Sequence, residues 1–276
     1  MSDEEHSGAG LAASLAFKNI TKIFPTPTRD VEALQNIDLE VPPGAFVSIV
    51  GPSGCGKSTL LSIAAGLEDT SSGEVWINGK PLDGASGDVG FVFQEDSTLP
   101  WRSALKNVTF GLEANGVPRR ERLARAQEML ELVGLADFAD QPPSRLSGGM
   151  RQRVAIARTL ALRPKILLMD EPFGALDHQT RLILSAELIR IWQETKTTIL
   201  FVTHDIDEAV ILAQEVWVMS YRPGRVIDRI PVDIDYPRDL STVSSERFGG
   251  ITARIWKSLQ QESLAGFDDQ AARSGR

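Results

Sequence analysis

Cysteine is almost missing from this chain. Cys55 is the only one, so no internal disulfide can form, and with three histidines there are too few soft ligands for a structural zinc site. That usage fits a reducing compartment. Basic residues are in deficit, 29 Lys+Arg against 37 Asp+Glu, for a net charge of −8. A protein that neutralises phosphates along a duplex carries a basic excess, so nucleic acid is disfavoured as a partner. No uninterrupted apolar run approaches the ~18 residues of a bilayer span, so any service to a membrane would run from the cytoplasm and through a partner. Met1 to Ala16 is acidic, with Gly, Ala and Ser and no basic start or compact apolar stretch, and does not read as a signal peptide. Internal repeats are absent too.

What remains is an ordinary globular composition over 276 residues, long enough for one large domain or a domain with a subdomain. From Leu15 to Val50 the pattern reads as short strands punctuated by Pro25, Pro27 and Pro42-Pro43-Gly44. Ala45 to Val50 is a compact apolar run, as in a strand buried on both faces, and Ser58 to Leu67 reads as a helix. Glu74 to Ile77, closed by the Asn78-Gly79 turn, and Val89 to Phe93 are further strands. Arg119 to Val133 sets Leu123, Ala126, Leu130 and Val133 at helical spacing, with Gly134 placed for a C-cap, so residues 95–145 read as a mainly helical insertion. Strand-like runs resume at Ile166 to Met169, Thr198 to Val202 and Val216 to Met219, an alternation that argues for a largely parallel α/β core. Ile251 to Leu259 reads as an amphipathic helix with Ile255, Trp256 and Leu259 on its docking face, followed by a polar, frayed end.

Gly51-Pro-Ser-Gly-Cys-Gly-Lys57-Ser58 fits G-x-x-x-x-G-K-[ST] between a predicted strand and helix. Its glycines let successive N–H groups turn inward toward phosphate oxygens, and the helix start adds a partial positive end. Lys57 would bridge the β- and γ-phosphates and the Ser58 hydroxyl would ligate Mg²⁺. Cys55 in this loop reads as a small filler, since a reactive thiol needs a lowered pKa. Asp170 and Glu171 close a buried strand at the C-terminal edge where parallel sheets bind ligands. There Asp170 would hold the Mg²⁺ shell and Glu171 would polarise the attacking water. Ser147, Gly148 and Gly149 precede a helix from Arg151 to Leu162. The serine reads as an N-cap, and the glycines leave bare N–H groups at a second anion site.

In this order and spacing the motifs resemble the nucleotide-binding subunits of ATP-binding-cassette (ABC) transporters, over roughly Leu15 to Val232. The resemblance implies an α/β fold: a P-loop NTPase core with a mainly parallel sheet, an N-terminal antiparallel β part and an inserted helical subdomain. It divides the chain into an ATPase domain at 15–245 containing the insertion, a docking helix at 246–263, and flexible tails at 1–14 and 264–276. ATP and Mg²⁺ are the implied cofactors, with the phosphate-binding set running from Gly51, Pro52, Ser53, Gly54, Cys55 and Gly56 through Lys57, Ser58 and Thr59. Leu146 to Met150 looks like the family signature, whose usual form ends in Gln, so Met150 departs from it. Gln94 resembles the glutamine that contacts Mg²⁺ and the water, and Gly174-Ala-Leu-Asp177 resembles the D-loop. His204 resembles the switch histidine at the γ-phosphate. Phe24 falls where the family stacks an aromatic, usually tyrosine, on adenine. Alone, His204 would be a satisfied turn histidine, Phe24 a core residue, and Gln94 and Asp177 polar loop residues.

The resemblance further implies a head-to-tail dimer of two copies, each ATP held between the phosphate loop of one and Ser147 to Gly149 of the other. A membrane permease would dock on the helical insertion, with a solute-binding protein as an indirect partner, placing the chain peripherally at the cytoplasmic face. Leu99-Pro100-Trp101 reads equally as an anchor for that permease or as packing within the insertion. Leu99 to Trp101, Met150, Phe201 to Ala209 and Arg222-Pro-Gly-Arg225 together look like the ATPases of nitrate, sulfonate and taurine importers. An exporter or lipid-transport ATPase is the nearer alternative. A nucleic-acid-associated cassette would show basic patches or two cassettes, and a small-molecule kinase would lack Ser147 to Gly149.

Overall fold

The computed structural model describes residues 12–27 and 29–274. Buried and exposed side chains alternate along Leu15–Phe24 (β1) and Val31–Val41 (β2), which pair antiparallel and present one face to a core. Phe46–Val50 (β3) is instead buried at every position, as befits a strand with helices on both sides. The loop after it opens the helix Lys57–Ala64 (α1). That helix stops short of the expected Leu67 because Gly66 takes φ +68° at a point where a Cβ would lie 2.2 Å from the Gly84 carbonyl oxygen. Ser72–Ile77 (β4) and Lys80–Pro81 (β5) are joined by Asn78 and Gly79, both at positive φ as a type I′ turn requires. They complete a four-stranded sheet in the order β2-β1-β4-β5, the expected antiparallel part.

Val89–Val92 (β6) begins the return to the main sheet, and three helices follow: Ala104–Ala114 (α2), Arg119–Leu132 (α3) and Gly148–Ala161 (α4). Val108 and Leu112 of α2, Ala126 and Leu130 of α3, and Val154 of α4 share one apolar cluster. The helical layer therefore does not end at residue 145; α4, which opens just beyond the expected insertion, is packed into it. Gly134 follows α3 at φ +67°, in the C-capping position read from the sequence.

Ile166–Asp170 (β7), the helix His178–Thr195 (α5), Thr198–Val202 (β8), the helix Ile206–Leu212 (α6), Glu215–Met219 (β9) and Val226–Pro231 (β10) complete the core. The second sheet has the order β10-β9-β3-β8-β7-β6, parallel except for β10. Strands β6, β7 and β8 are adjacent, so their C-terminal ends open side by side. Sequence reading missed β10, where only Ile230 is fully buried and the alternation is weak. Beyond it, Arg238 spends its guanidinium on the carbonyls of Val210 and Ala213 at the end of α6, both at 2.6 Å, satisfying groups that the helix leaves open.

The short helix Leu240–Val243 (α7) leads into Glu246–Ser274 (α8). Phe248 and Ile255 are buried, with Ile251 and Leu259 partly so, the stripe expected at i, i+3 and i+4 spacing. Trp256 is not part of it: at 63% exposure it stands about 100° round the helix from Ile255, so the expected docking face is corrected to Phe248, Ile251, Ile255 and Leu259. The backbone of 264–274, expected to fray, is helical, for its polar residues include good helix formers. At the other end, Ala13 is fully buried and its carbonyl accepts from Thr198 Oγ1 at 2.6 Å, while Ser14 N donates to Asn78 Oδ1 at 2.9 Å. The last residues of the expected N-terminal tail are thus held to the sheets; residues 1–11, 275 and 276 lie outside the described residues.

Candidate functional site

The loop from β3 to α1 carries its special conformations in glycine. Gly56 sits at φ +104°, where a Cβ would meet Leu34 Cδ2 at 2.7 Å and the Ala33 carbonyl oxygen at 2.9 Å. No side chain caps α1, so its first N–H groups are left for something else to satisfy. Lys57 is 6% exposed and donates Nζ to the carbonyls of Gly51 at 2.8 Å and Pro52 at 3.1 Å. A cleft of ≈ 320 Å³ opens on this loop, lined by Ser53, Gly54, Gly56, Lys57, Ser58 and Thr59, with Phe24 joining from the end of β1. Gly51, Pro52 and Cys55 support the loop and do not line the cleft. The Cys55 thiol is buried, and burial pushes its pKa up despite the nearby Lys57 ammonium, in keeping with a filler. A larger open cleft of ≈ 730 Å³, between β2 and β10, holds none of the candidate nucleotide-site residues.

The second wall comes from Gln94 after β6 and Glu171 after β7; Asp170 and His204 adjoin it without lining the cleft. Asp170, the last residue of β7, is 7% exposed, and burial pushes its carboxyl above the usual range; the Ser58 hydroxyl opposes that shift and Glu171 adds to it. Its Oδ1 is buried without a hydrogen-bond partner. A buried, unsatisfied carboxylate oxygen next to a hydroxyl is a hard-oxygen donor set that fits a divalent cation such as Mg²⁺. Glu171 takes φ +44°, a conformation strained for a residue with a Cβ, and its N–H donates to the Val202 carbonyl at 2.9 Å. Its Oε2 accepts from Gln94 Nε2 at 3.3 Å and lies 3.0 Å from His204 Nδ1. Residues 77 and 33 positions away are thereby brought to one carboxylate oxygen.

Ser147, Gly148, Gly149 and Asp177 do not line this cleft. Ser147 caps α4, accepting from Met150 N at 3.3 Å, and Met150 turns its side chain against the helical core. A Cβ on Gly149 would lie 3.2 Å from Leu176 Cδ2, so the signature segment abuts the D-loop. Asp177 caps α5 through Thr180 N at 3.0 Å and Thr180 Oγ1 at 2.7 Å, bonds that hold its carboxyl below the usual range.

Three features escaped sequence reading. Arg222 lines the cleft with the phosphate loop; its tetrapeptide was read only as a branch marker. The segment after β6 is tied to α4 by Gln152 Nε2 to the Phe93 carbonyl at 3.0 Å, by Arg151 to Asp96 at 2.7 Å and by Arg158 to Ser97 Oγ at 2.6 Å. No local pattern signals these pairs. Glu208, behind His204, accepts from Thr203 Oγ1 while its Oε1 is buried without a partner, and burial raises its pKa to about 7.

Glu208 yields a pH prediction. Its folded pKa exceeds the ordinary 4.5, so between 4.5 and about 7 the folded chain holds a proton that the unfolded chain has lost. Stability therefore falls as pH rises through that window, by on the order of 3 kcal/mol. Glu208→Gln, which keeps an acceptor for Thr203, is expected to match the parent near pH 4.5 and to unfold at higher temperature near pH 8. Parallel melting profiles for the two proteins would contradict it.

With the geometry in place, similarity to known proteins adds the family. The family model described as ABC transporter matches residues 34–174. An uncharacterized ABC transporter ATP-binding protein of Methanocaldococcus jannaschii is 50% identical over 262 residues, covering 95% of this chain and 98% of that protein. The taurine import ATP-binding protein TauB of Rhizobium johnstonii is 50% identical over 79% of this chain and 83% of its own. The nitrate import ATP-binding protein NrtD of a Synechocystis strain is 44% identical over 85% and 87%. Among solved structures, a dimeric ATP-binding cassette in a post-hydrolysis state, bound to ADP and Pi, matches with a TM-score of 0.73 at 36% identity, over 80% of this chain and all of that one. The fold, the phosphate loop and relatives of this closeness agree: the chain belongs to the ABC transporter family, as one of its ATP-binding, ATP-hydrolysing subunits.

Proposed function

We propose that this chain drives import of a small anionic solute through a separate membrane permease, hydrolysing ATP at sites shared by two head-to-tail copies. The observation that carries the hydrolytic part is the meeting of Gln94, Glu171 and His204 at the edge of the phosphate-loop cleft. Lys57 and the loop N–H groups bind the β- and γ-phosphates, and Phe24 offers its ring to the adenine. Ser58, Asp170 and Gln94 hold Mg²⁺, which when bound neutralises charge on the phosphate oxygens. Glu171 orients the attacking water and accepts its proton, and His204, held against the same carboxylate, lies where it can contact the γ-phosphate. Ser147, Gly148, Gly149 and Asp177 do not line their own cleft and serve the nucleotide of the partner copy. That arrangement lets ATP favour closure, because only the closed pair collects both sets of contacts.

The solute class rests on likeness to relatives named for taurine and nitrate import. Trp101 is 76% exposed, which supports it as the permease anchor over internal packing. Among the described residues no helix is long and apolar enough to cross a membrane; the chain works peripherally, at the cytoplasmic face. Tagged Glu171→Gln with ATP and Mg²⁺, incubated with detergent-solubilised membranes of the source cell, is expected to recover a multi-span membrane protein, and Trp101→Ala in that background to lose most of it. Recovery of ribosomal or nucleic-acid material in its place would overturn the transport reading.

A further inference from the structure

Arg222 stands in the turn between β9 and β10, remote in sequence from every phosphate-loop residue. Its Nε donates to the Gly54 carbonyl oxygen at 2.7 Å, across 168 positions. A Cβ built on Gly54 would come within 3.3 Å of an Nη, so the guanidinium lies close against the loop. Arg222 also lines the cleft that Phe24, Lys57 and Ser58 line.

Two further observations give this contact meaning. First, the turn is seated on β2 by backbone bonds: Gly224 N donates to the Ala33 carbonyl at 2.9 Å and Gln35 N to the Gly224 carbonyl at 3.0 Å. Ser220 Oγ closes the turn on the Pro223 carbonyl at 3.0 Å, and a Cβ on Gly224 would sit 2.1 Å from the Cys55 carbonyl oxygen. Arg222 is therefore presented by a braced element. Second, among the described residues no carboxylate pairs with it, whereas Arg229, Arg247 and Arg254 pair with Glu215, Asp233 and Asp228, and Arg225 and Arg238 are bonded to Gln35 and to backbone carbonyls. An arginine fixed at the rim of an anion-binding cleft, with no counter-charge of its own, has its charge left for the ligand.

We infer that Arg222 is a second cation of the nucleotide site, turning the Gly54 carbonyl outward and giving its charge to the polyphosphate. This rests on the ATP-site reading above. For loop N–H groups to converge on an anion the carbonyls must face away, and each then needs a donor; Arg222 supplies one for Gly54. The remaining N–H groups of its fork add to Lys57 at the same cleft.

The two roles separate by substitution. Arg222→Gln keeps a donor for the Gly54 carbonyl and loses the charge; Arg222→Lys keeps the charge and loses the fork; Arg222→Met is a second uncharged variant should the glutamine fail to fold. Binding of ADP and of AMP is measured by competition against a fluorescent ADP, alongside ATPase kinetics and the unfolding midpoint of each variant. The uncharged variant is expected to lose roughly tenfold in ADP affinity and to raise KM for ATP similarly, as loss of one hydrogen bond to a charged group implies. AMP affinity and kcat should change less than about twofold, and Arg222→Lys should recover most of the ADP binding, because the charge is what acts. Unchanged ADP binding in the uncharged variant, or an equal loss for ADP and AMP, would overturn the inference while leaving the ATP site intact. Failure of the parent protein to bind ADP at all would instead sink the ATP-site reading itself.

Discussion

Glu171→Gln is expected to lower ATP turnover by about a thousandfold while leaving nucleotide affinity close to that of the parent, since a positioned general base contributes roughly 10²–10⁴ in rate. The substitution suits this site. Glutamine has the same size, retains an oxygen to accept from Gln94 and to face His204, and is no more strained than glutamate at φ +44°. The negative charge, and with it the ability to take a proton from water, is removed. Because ATP then persists, a head-to-tail pair should accumulate, and size-exclusion chromatography with ATP and Mg²⁺ should show a dimer that the parent forms only transiently. Phosphate release at the parent rate would remove Glu171 from the role of base, whatever the dimer did. His204→Ala should act differently, lowering turnover without trapping so stable a pair.

Lys57→Met should weaken ADP binding by roughly a hundredfold or more, the loss of two charge-assisted bonds to phosphate at about 1.5–3 kcal/mol each in full, less what water restores. Methionine matches the length of the stem and removes the charge. Among the described residues the parent ammonium bonds to the carbonyls of Gly51 and Pro52 and the Cys55 sulfur and to no carboxylate, so the change breaks no ion pair among them. The fold should persist, and an unchanged melting temperature is the control. ADP affinity within about threefold of the parent would mean that phosphate binds elsewhere than on this loop.

What could be read in the sequence was what is local. The phosphate loop is eight consecutive residues whose glycines and lysine act on one another's backbone, and β3, β7 and β8 announce themselves as five-residue runs buried on both faces. Asp170 and Glu171 were legible for the same reason, as the polar end of such a run. What was not legible depends on residues far apart. Arg222 acquires its place only because a turn after β9 folds back on a loop after β3, and Glu208 its raised pKa only because α6 buries it behind Thr203. Weak periodicity explains the other misses. β10 has one fully buried residue, and Ile255 and Trp256 look alike in hydrophobicity while the helix sends them to different faces. Ala13, in a stretch of small residues, is fixed by a threonine in β8 that no neighbouring residue hints at.

The bonds from α4 to the strand of chain beyond β6 have a mechanical result. Gln152, Arg151 and Arg158 lie along one helix and hold residues 93, 96 and 97, bracketing the stretch that begins with Gln94. The same helix starts at Gly148, capped by Ser147. The chain flanking Gln94 and the segment Ser147 to Gly149, to which the proposed function assigns two different nucleotides, are therefore both tied to one helix. In the head-to-tail pair proposed above, a small shift at one compartment would be carried through this helix toward its twin.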